Sequence, residues 1–527
     1  MVTRGLWNLH VDGMDFPSRT NTANTIVGKW YRWFHPPRGQ STSPYSPTSL
    51  KTVQQILSRT DNFKWDSVPF PTPLHFQLDY VYTIDEDAGH FMLTEWKTVN
   101  QALHQISRKV ALASIRETSC STIDTLLDDA GELSKHNGHS LSDIRDETNV
   151  QHLLNSFGIK PSIPTRLNEL QFQLFTDFVF TWRFYFNDTS IWERSFSLLS
   201  TLAIGLLRIA AWDLEVRHMD TEELPITFSS LPRWNAPVNK IFWFHKYLIV
   251  CCNADQIGTS VATKAKDFAR STNHKGPVHG IAISIRHIVL FEICNDNILY
   301  SACIPLVTNT SALHCSPGFK ILAYIFTSNH WKGVSVNPRE YWGVTIPIEL
   351  FEMILATTMP RDLISMAQAS DLVEKWYYSS IPQIHGLKLQ SFALSIPCCG
   401  KRNTSDITGV YCSICYAWSH LECTDLSSSV PSGTDELNCS DCQESKPCTS
   451  LDTSGIHQFC RTKRERKACS VMYAGKTTNF RLRVSKPSSR RPELWLIRTH
   501  GPPPPRSVEY TIFFNGVSSG LAYGFDE

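Results

Sequence analysis

Hydrophobic and polar positions change period several times along the chain, and each change predicts a different element. In residues 75–96 the runs HFQLDYVYTI and HFMLTEW are short and rich in β-branched and aromatic residues, which predicts strands. In residues 97–157, Val99, Leu103, Ile106 and Val110 recur at helical spacing and predict an amphipathic helical stretch. Residues 167–215 give a second helical block, rich in Phe, Leu and Trp, expected to form core. Its most apolar run, SFSLLSTLAIGLLRIAAW over 195–212, is near the shortest length that spans a bilayer and contains Arg208, so a buried core helix is expected rather than a membrane span. Residues 240–252 and 280–294 read as strands, with Ile281, Ile283 and Ile285 alternating at period two. Residues 298–307 predict a third strand, antiparallel to the second, and 316–328 a closing helix or strand.

The pattern predicts a multidomain α+β protein. Residues 1–74 are an N-terminal segment with a linker rich in Pro and Ser at 36–49, and residues 75–340 are a large α+β domain. Its histidines His245, His274, His279 and His287 lack metal-ligand spacing and receive no role. The turn HNGH at 136–139 reads as a solvated loop.

The next stretch, 345–381, is helical: TIPIELFEMILATTMPRDLISMAQASDLVEKWYYSSI. Pro347 falls at a first helical turn, where its missing N–H costs nothing, and Ile348, Phe351, Ile354 and Leu355 then share a face. A second helix follows Pro360, with Asp362, Leu363, Met366 and Ala367 at helical spacing, and a third carries Leu372, Val373 and Trp376. The segment resembles the F-box in Ile346-Pro347, Glu349-Leu350, Ile354, Pro360-Arg361-Asp362-Leu363, Ala367, Ser370 and Trp376. That resemblance implies docking to the Skp-type adapter of a cullin–RING ubiquitin ligase. An F-box conventionally lies nearer the N-terminus of its chain, and an ordinary helical subdomain is the competing reading.

Cysteine supplies the candidate chemistry. Seven of the 16 cysteines, with His420, fall between positions 398 and 442. Cys412-x2-Cys415, His420-x2-Cys423 and Cys439-x2-Cys442 are pairs at zinc-ligand spacing, because a tight turn holds two donors about 2.0–2.3 Å from one tetrahedral ion. A disulfide cluster would need an oxidising compartment, which nothing else in the chain suggests. With the upstream pair Cys398 and Cys399, the order resembles the PHD finger, a cross-brace in which ligand pairs one and three bind one zinc and pairs two and four the other. The resemblance implies site one from Cys398, Cys399, His420 and Cys423, and site two from Cys412, Cys415, Cys439 and Cys442. It departs from the family where Cys398 and Cys399 are adjacent, since neighbouring side chains of extended chain point apart and Gly400 must supply a sharp turn. Two Zn2+ per chain are expected, closed and structural, on the order of 10–16 kcal/mol per site.

Trp418, two residues before His420, has two readings: a cation–π wall for a methylated lysine, as in PHD fingers that read histone tails, or a core residue between the zinc sites. Tyr411 could add aromatic surface. Residues 403–445 carry seven acids and no Lys or Arg, which suits a basic histone tail or similar peptide and repels nucleic acid. The finger spans 392–445, and a basic linker follows over 446–478. Nucleic-acid contact is expected only through 461–491, where eleven Lys or Arg face one Glu; RTKRERK there is also a nuclear-import pattern. Residues 479–527 read as a β-rich tail through FRLRV, ELWLIR and VEYTIFF. Gly516 to Gly520 match G-x-S-x-G, yet no helix length or later His follows, so no hydrolase elbow is expected. Net charge is +1, no phosphate loop or metalloprotease motif occurs, and no secretory signal opens the chain. The expectation is a non-enzymatic protein, nuclear or cytoplasmic.

Overall fold

The computed structural model describes, short interruptions apart, residues 5–11, 30–34, 48–59, 65–117, 157–218, 231–331, 347–392, 409–423, 467–484 and 508–526, with Leu127. The chain divides into two compact units. The first comprises Met1–Ile144, Phe184–Leu198 and Ser450–Lys463; the second comprises Arg145–Arg183, Leu199–Thr449 and Arg464–Glu527.

The first unit is built on β1 (Gly5–His10), β2 (Trp30–Phe34), β3 (Asp66–Val68), β4 (Tyr80–Asp85), β5 (His90–Val99) and β6 (Ala102–Ala111), with helices α1 (Thr48–Leu57) and α2 (Leu112–Glu117). The strands form one sheet in the order β3-β2-β1-β4-β5-β6, in which β1 and β4 are parallel and the other pairs antiparallel. Alternation assigns both faces. Trp7, Leu9, Tyr82, Ile84, Phe91 and Leu93 join Val53, Ile56 and Ile115 in one core, while Leu6 and Val81 pack with Leu74 and Leu78 in another. The loop before β4 is pinned by Asn8, whose Nδ2 donates to the Thr72 carbonyl at 2.8 Å and whose Oδ1 accepts from the Thr72 N–H at 3.0 Å.

Two sequence expectations change here. Of the expected helical stretch, 97–99 and 102–111 are strand: β5 runs to Val99, and β6 pairs with it antiparallel through Val99↔Ala102 and Leu93↔Arg108, whereas Leu112–Glu117 is helix and 118–156, Leu127 apart, lie outside the described residues. Leu103, Ile106 and Val110 sit at helical spacing by coincidence. The inward face of β6 carries Arg108, buried and paired with Glu95 at 2.9 Å, so a charge interrupts the period-two signal. Residues 1–74 are also more than a segment with a linker. Their strands β1–β3 complete the sheet of β4, so the stretch 75–340 is shared between both units.

The second unit opens with α3 (Arg166–Thr181) and, from Leu199 on, α4 (Phe196–Ala210). A capping box starts α3: the Thr165 hydroxyl accepts from the Asn168 N–H at 3.1 Å, and Asn168 Oδ1 accepts from the Thr165 N–H at 3.0 Å. α4 is the apolar run of the sequence. Leu198, Leu199, Leu202, Leu206 and Leu207 are fully buried. Among the described residues, no helix is long and apolar enough to cross a membrane.

α4 ends in an unusual turn. Trp212 N–H donates to the Ile209 carbonyl at 3.2 Å and Asp213 N–H to the Arg208 carbonyl at 2.8 Å, a Schellman pairing. The left-handed position, normally Gly, is Trp212 at φ 55, which costs roughly 1–2 kcal/mol. Gln171 Nε2 from α3 donates to the Ile209 and Ala210 carbonyls of this last turn at 3.1 and 2.7 Å.

After β7 (Glu215–His218) come β8 (Ile241–Phe244), β9 (Tyr247–Cys251), α5 (Thr259–Ser271), β10 (Val278–Ile283), β11 (His287–Cys294), β12 (Asn297–Tyr300), β13 (Ile304–Pro305) and α6 (Pro317–Thr327). β12-β11-β10-β9-β8 form a sheet, with β13 also on β11. Each of the two long runs read as strand is a pair: β8 with β9, and β10 with β11, with Ile285 in the second turn. The third strand is antiparallel to β11 as expected, and residues 317–327 are helix.

α7 (Ile348–Thr357) and α8 (Pro360–Ala369) follow, the latter with Pro360 in its first turn. β14 (Gln383–Ile384), β15 (Leu387–Phe392), the hairpin β16 (Gly409–Tyr411) and β17 (Trp418–His420), and β18 (Lys467–Tyr473), β19 (Lys476–Val484), β20 (Val508–Phe514) and β21 (Val517–Asp526) complete the chain. The last sheet has the order β14-β15-β18-β19-β21-β20-β7. The stretch read as a basic linker thus contains β18 and the start of β19, because KACSVMY offers small and apolar residues for pairing with β15. Ile512 and Phe514 of β20 are buried, and Phe514 lies against Phe178 and Trp234. Gly516 occupies the β20–β21 turn at φ 78, and Ser518 and Ser519 lie in β21.

Candidate metal centre and docking helix

The hairpin β16–β17 carries the described part of the cysteine-rich stretch 392–445. Its register is Gly409↔His420, Val410↔Ser419 and Tyr411↔Trp418. Cys412 follows β16 directly, and Cys415 falls in the connection to β17. His420 pairs at the far rung, so Cys412 and His420 lie at opposite ends of the hairpin, about 10 Å apart along it at ~3.4 Å per residue. Trp418 and His420, two positions apart, share a face, and their rings meet edge-on at 4.7 Å between centroids. Alternation continued one residue past Tyr411 turns Cys412 to the other face. The arrangement suits two centres better than one.

The donor chemistry fits zinc. Cys412 is 1% exposed and His420 6%, in a hairpin with few apolar residues to justify burying a thiol and an imidazole. Cys423 is exposed. Cys398, Cys399, Cys415, Cys439 and Cys442 lie outside the described residues, and among those described no group of three or more ligands is assembled. Trp418 is 5% exposed, which matches its packing role more closely than an open cage wall. Tyr411 stands opposite it in β16.

The helical segment forms a second candidate site. Leu355, Leu363, Ala367 and Val373 make a small core, with Phe351, Met366, Trp376 and Tyr377 packed against it. The third predicted helix is described only at Val373, Trp376 and Tyr377. Ile354, grouped by sequence with the core face, lies instead on a second face of α7. It is 50% exposed, with Leu350 at 51%, Met353 at 64% and, in the joint to α8, Met359 at 70%. Residues 350, 353, 354 and 357 share one stripe at helical spacing, and the exposed carboxylates Glu349 and Glu352 flank it. The sequence signal for this face was an α7 too apolar all round for a helix with a single buried side.

Below it lies a buried polar node that sequence reading missed. Asp213 Oδ2 is 3.0 Å from Arg208 Nη1 and 3.7 Å from His245 Nε2. Arg208 Nη1 also donates to Asn515 Oδ1 at 3.0 Å, and the Tyr377 hydroxyl donates to the Trp212 carbonyl at 3.1 Å. Burial pushes the Tyr377 hydroxyl well above its ordinary pKa, and the charge of Asp213 adds to the effect.

Three further described groups of the second unit, Cys251, His287 and His279, offer little chemistry. Burial pushes the Cys251 thiol far up, and the neighbouring Cys252 adds to this, so Cys251 supplies no ready thiolate. Burial holds His287 down at about 4, with Arg286 contributing, which keeps it neutral near pH 7. His279 is also lowered by burial, against the pull of Glu292 at 3.7 Å, and packs on Trp331.

Comparison with known protein families, curated proteins and solved structures finds no match for this chain.

Proposed function

We propose that this chain is a non-enzymatic protein-interaction adapter, with the α7 helix as its docking face and a zinc-stabilised finger as a second recognition arm. The observation that carries the reading is the double-sided α7. Leu355 is sealed in its own core, while Leu350, Met353, Ile354 and Met359 form a contiguous apolar surface in water. A monomer gains nothing from such a surface, and its usual meaning is a partner. The F-box resemblance names the class: a Skp-type adapter of a cullin ubiquitin ligase, for which the finger or another part of the chain would select the substrate.

Purified Skp-type adapter is expected to be captured by the full chain. Leu350→Asp with Met353→Asp is expected to reduce capture at least tenfold without loss of helical content, since both side chains are exposed. Capture unchanged by that pair would refute the F-box reading.

The second arm rests on Cys412 and His420, buried and directed to opposite ends of one hairpin. When bound, zinc would supply fold rather than chemistry to residues 392–445, with the two quartets of the cross-brace as its ligands. The acidic surface of 403–445 favours a basic peptide such as a histone tail. The burial of Trp418 favours recognition through shape and charge over a methyl-lysine cage. On this reading trimethylated and unmodified tail peptides bind the full chain with affinities within threefold; a tenfold preference for the methylated peptide, lost in Trp418→Ala, would restore the cage. The address this function implies is nuclear or cytoplasmic.

A further inference from the structure

The docking helices have a small core of their own, and one residue belongs both to that core and to the rest of the second unit. Tyr377 packs its ring against the cluster of Leu355, Leu363, Ala367 and Val373. Its hydroxyl donates to the carbonyl of Trp212, 3.1 Å away. That carbonyl belongs to the left-handed residue that ends α4, a conformation a bulky side chain adopts only where its surroundings over-determine it. The surroundings are specific. Trp212 is buried, Gln171 holds the Ile209 and Ala210 carbonyls, and Asp213 is gripped by Arg208, which also bonds Asn515 in the β20–β21 turn, while His245 of the β8–β9 turn lies 3.7 Å from the Asp213 carboxylate. The acceptor that Tyr377 meets is therefore fixed by four separate elements: α3, α4, the β8–β9 turn and the β20–β21 turn.

We infer that Tyr377 is a positioning residue that sets the bearing of the α7–α8 docking helices by locking them to the Trp212 carbonyl. The inference rests on the docking reading only for its purpose; the lock itself is a property of the chain alone. A substrate receptor needs its two ends held at a fixed angle, and a hydroxyl seated on an over-determined carbonyl gives that angle with one bond. The ring of Tyr377 keeps the helices folded, and the hydroxyl keeps them aimed.

The two roles separate in Tyr377→Phe. Spectroscopic labels carried on non-canonical residues at the exposed positions Met353 and Val238 would report the bearing of α7 as a distance distribution. The full chain is expected to give a narrow distribution, and Tyr377→Phe one at least twice as wide, while amide hydrogen exchange within 348–369 stays within threefold of the parent. A distribution that stays narrow overturns the inference. Exchange that accelerates tenfold or more across 348–369 also overturns it, because Tyr377 would then merely support the helices' own fold. Should Tyr377→Phe unfold, Asn515→Ala, which loosens the same node from the far side, is expected to widen the distribution partially, and no widening there overturns the inference. These readings need no adapter, so failed adapter capture beside a widened distribution would remove the docking reading and leave the lock standing.

Discussion

Replacing Cys412 with Ser is expected to lower the zinc content of the chain from two ions to one and to release the β16–β17 hairpin. The thiol is buried directly after β16, in a hairpin of only three rungs. A structural zinc contributes on the order of 10–16 kcal/mol in small fingers, more than such a hairpin could recover by packing. Loss of the ion should raise amide exchange in 409–420 by orders of magnitude, and chelation of the parent protein should do the same. The double change Cys398→Ser with Cys399→Ser tests the other centre. One zinc retained there, with Cys412 still required, means that the lost ion was the one held by the adjacent cysteines. A parent chain that binds no zinc, or a Cys412→Ser chain that keeps two, would end the finger reading.

The second large effect is expected in the first unit. Glu95 and Arg108 are both buried, and their 2.9 Å contact lies diagonally across the β5–β6 pair. Removing one partner leaves the other a buried charge without this ion pair, so Arg108→Ala is expected to cost about 3–5 kcal/mol. Glu95→Leu with Arg108→Met, which fills the same space without charge, is expected to be neutral or more stable than the parent by up to ~4 kcal/mol. Urea unfolding, with exchange at the β5–β6 amides as the local measure, separates the two. A single Arg108→Ala as mild as a surface change, within about 0.5 kcal/mol, would mean the pair is solvated in solution.

That pair also explains a limit on what the sequence discloses. β4, the first part of β5, α4 and the antiparallel pairing of β12 with β11 were legible from runs rich in β-branched and aromatic residues or continuously apolar, while the closing KTV of β5 was not. β6 was not, since Arg108 occupies an inward position that only a partner on another strand makes tolerable. The β8–β9 hairpin was hidden for a different reason. Its two-residue turn places His245 at φ 45 and Lys246 at φ 69, conformations usually advertised by Asn-Gly. The Asn515-Gly516 turn at φ 47 and φ 78 carries that signal openly. At the candidate sites, spacing identified the helices α7 and α8. It could not identify which faces of α7 would be wet, because Ile354 and Leu355 are equally apolar and only the fold separates them. Nor could it find the Tyr377 node, which joins residues more than 160 positions apart, the separation from Trp212 being 165.

The last sheet has a consequence for how the chain is made. β7 leaves the ribosome nearly 300 residues before its partner β20. Trp182 likewise waits for the Ser519 carbonyl, 337 positions later. At ~5–20 residues per second the interval is about 20–70 s. Throughout it an unpaired strand edge and the Phe178–Trp234 surface stand open to any neighbour. Nascent chains of this protein should therefore depend on holding chaperones, and messages truncated before codon 508 should yield aggregate rather than a shorter working protein.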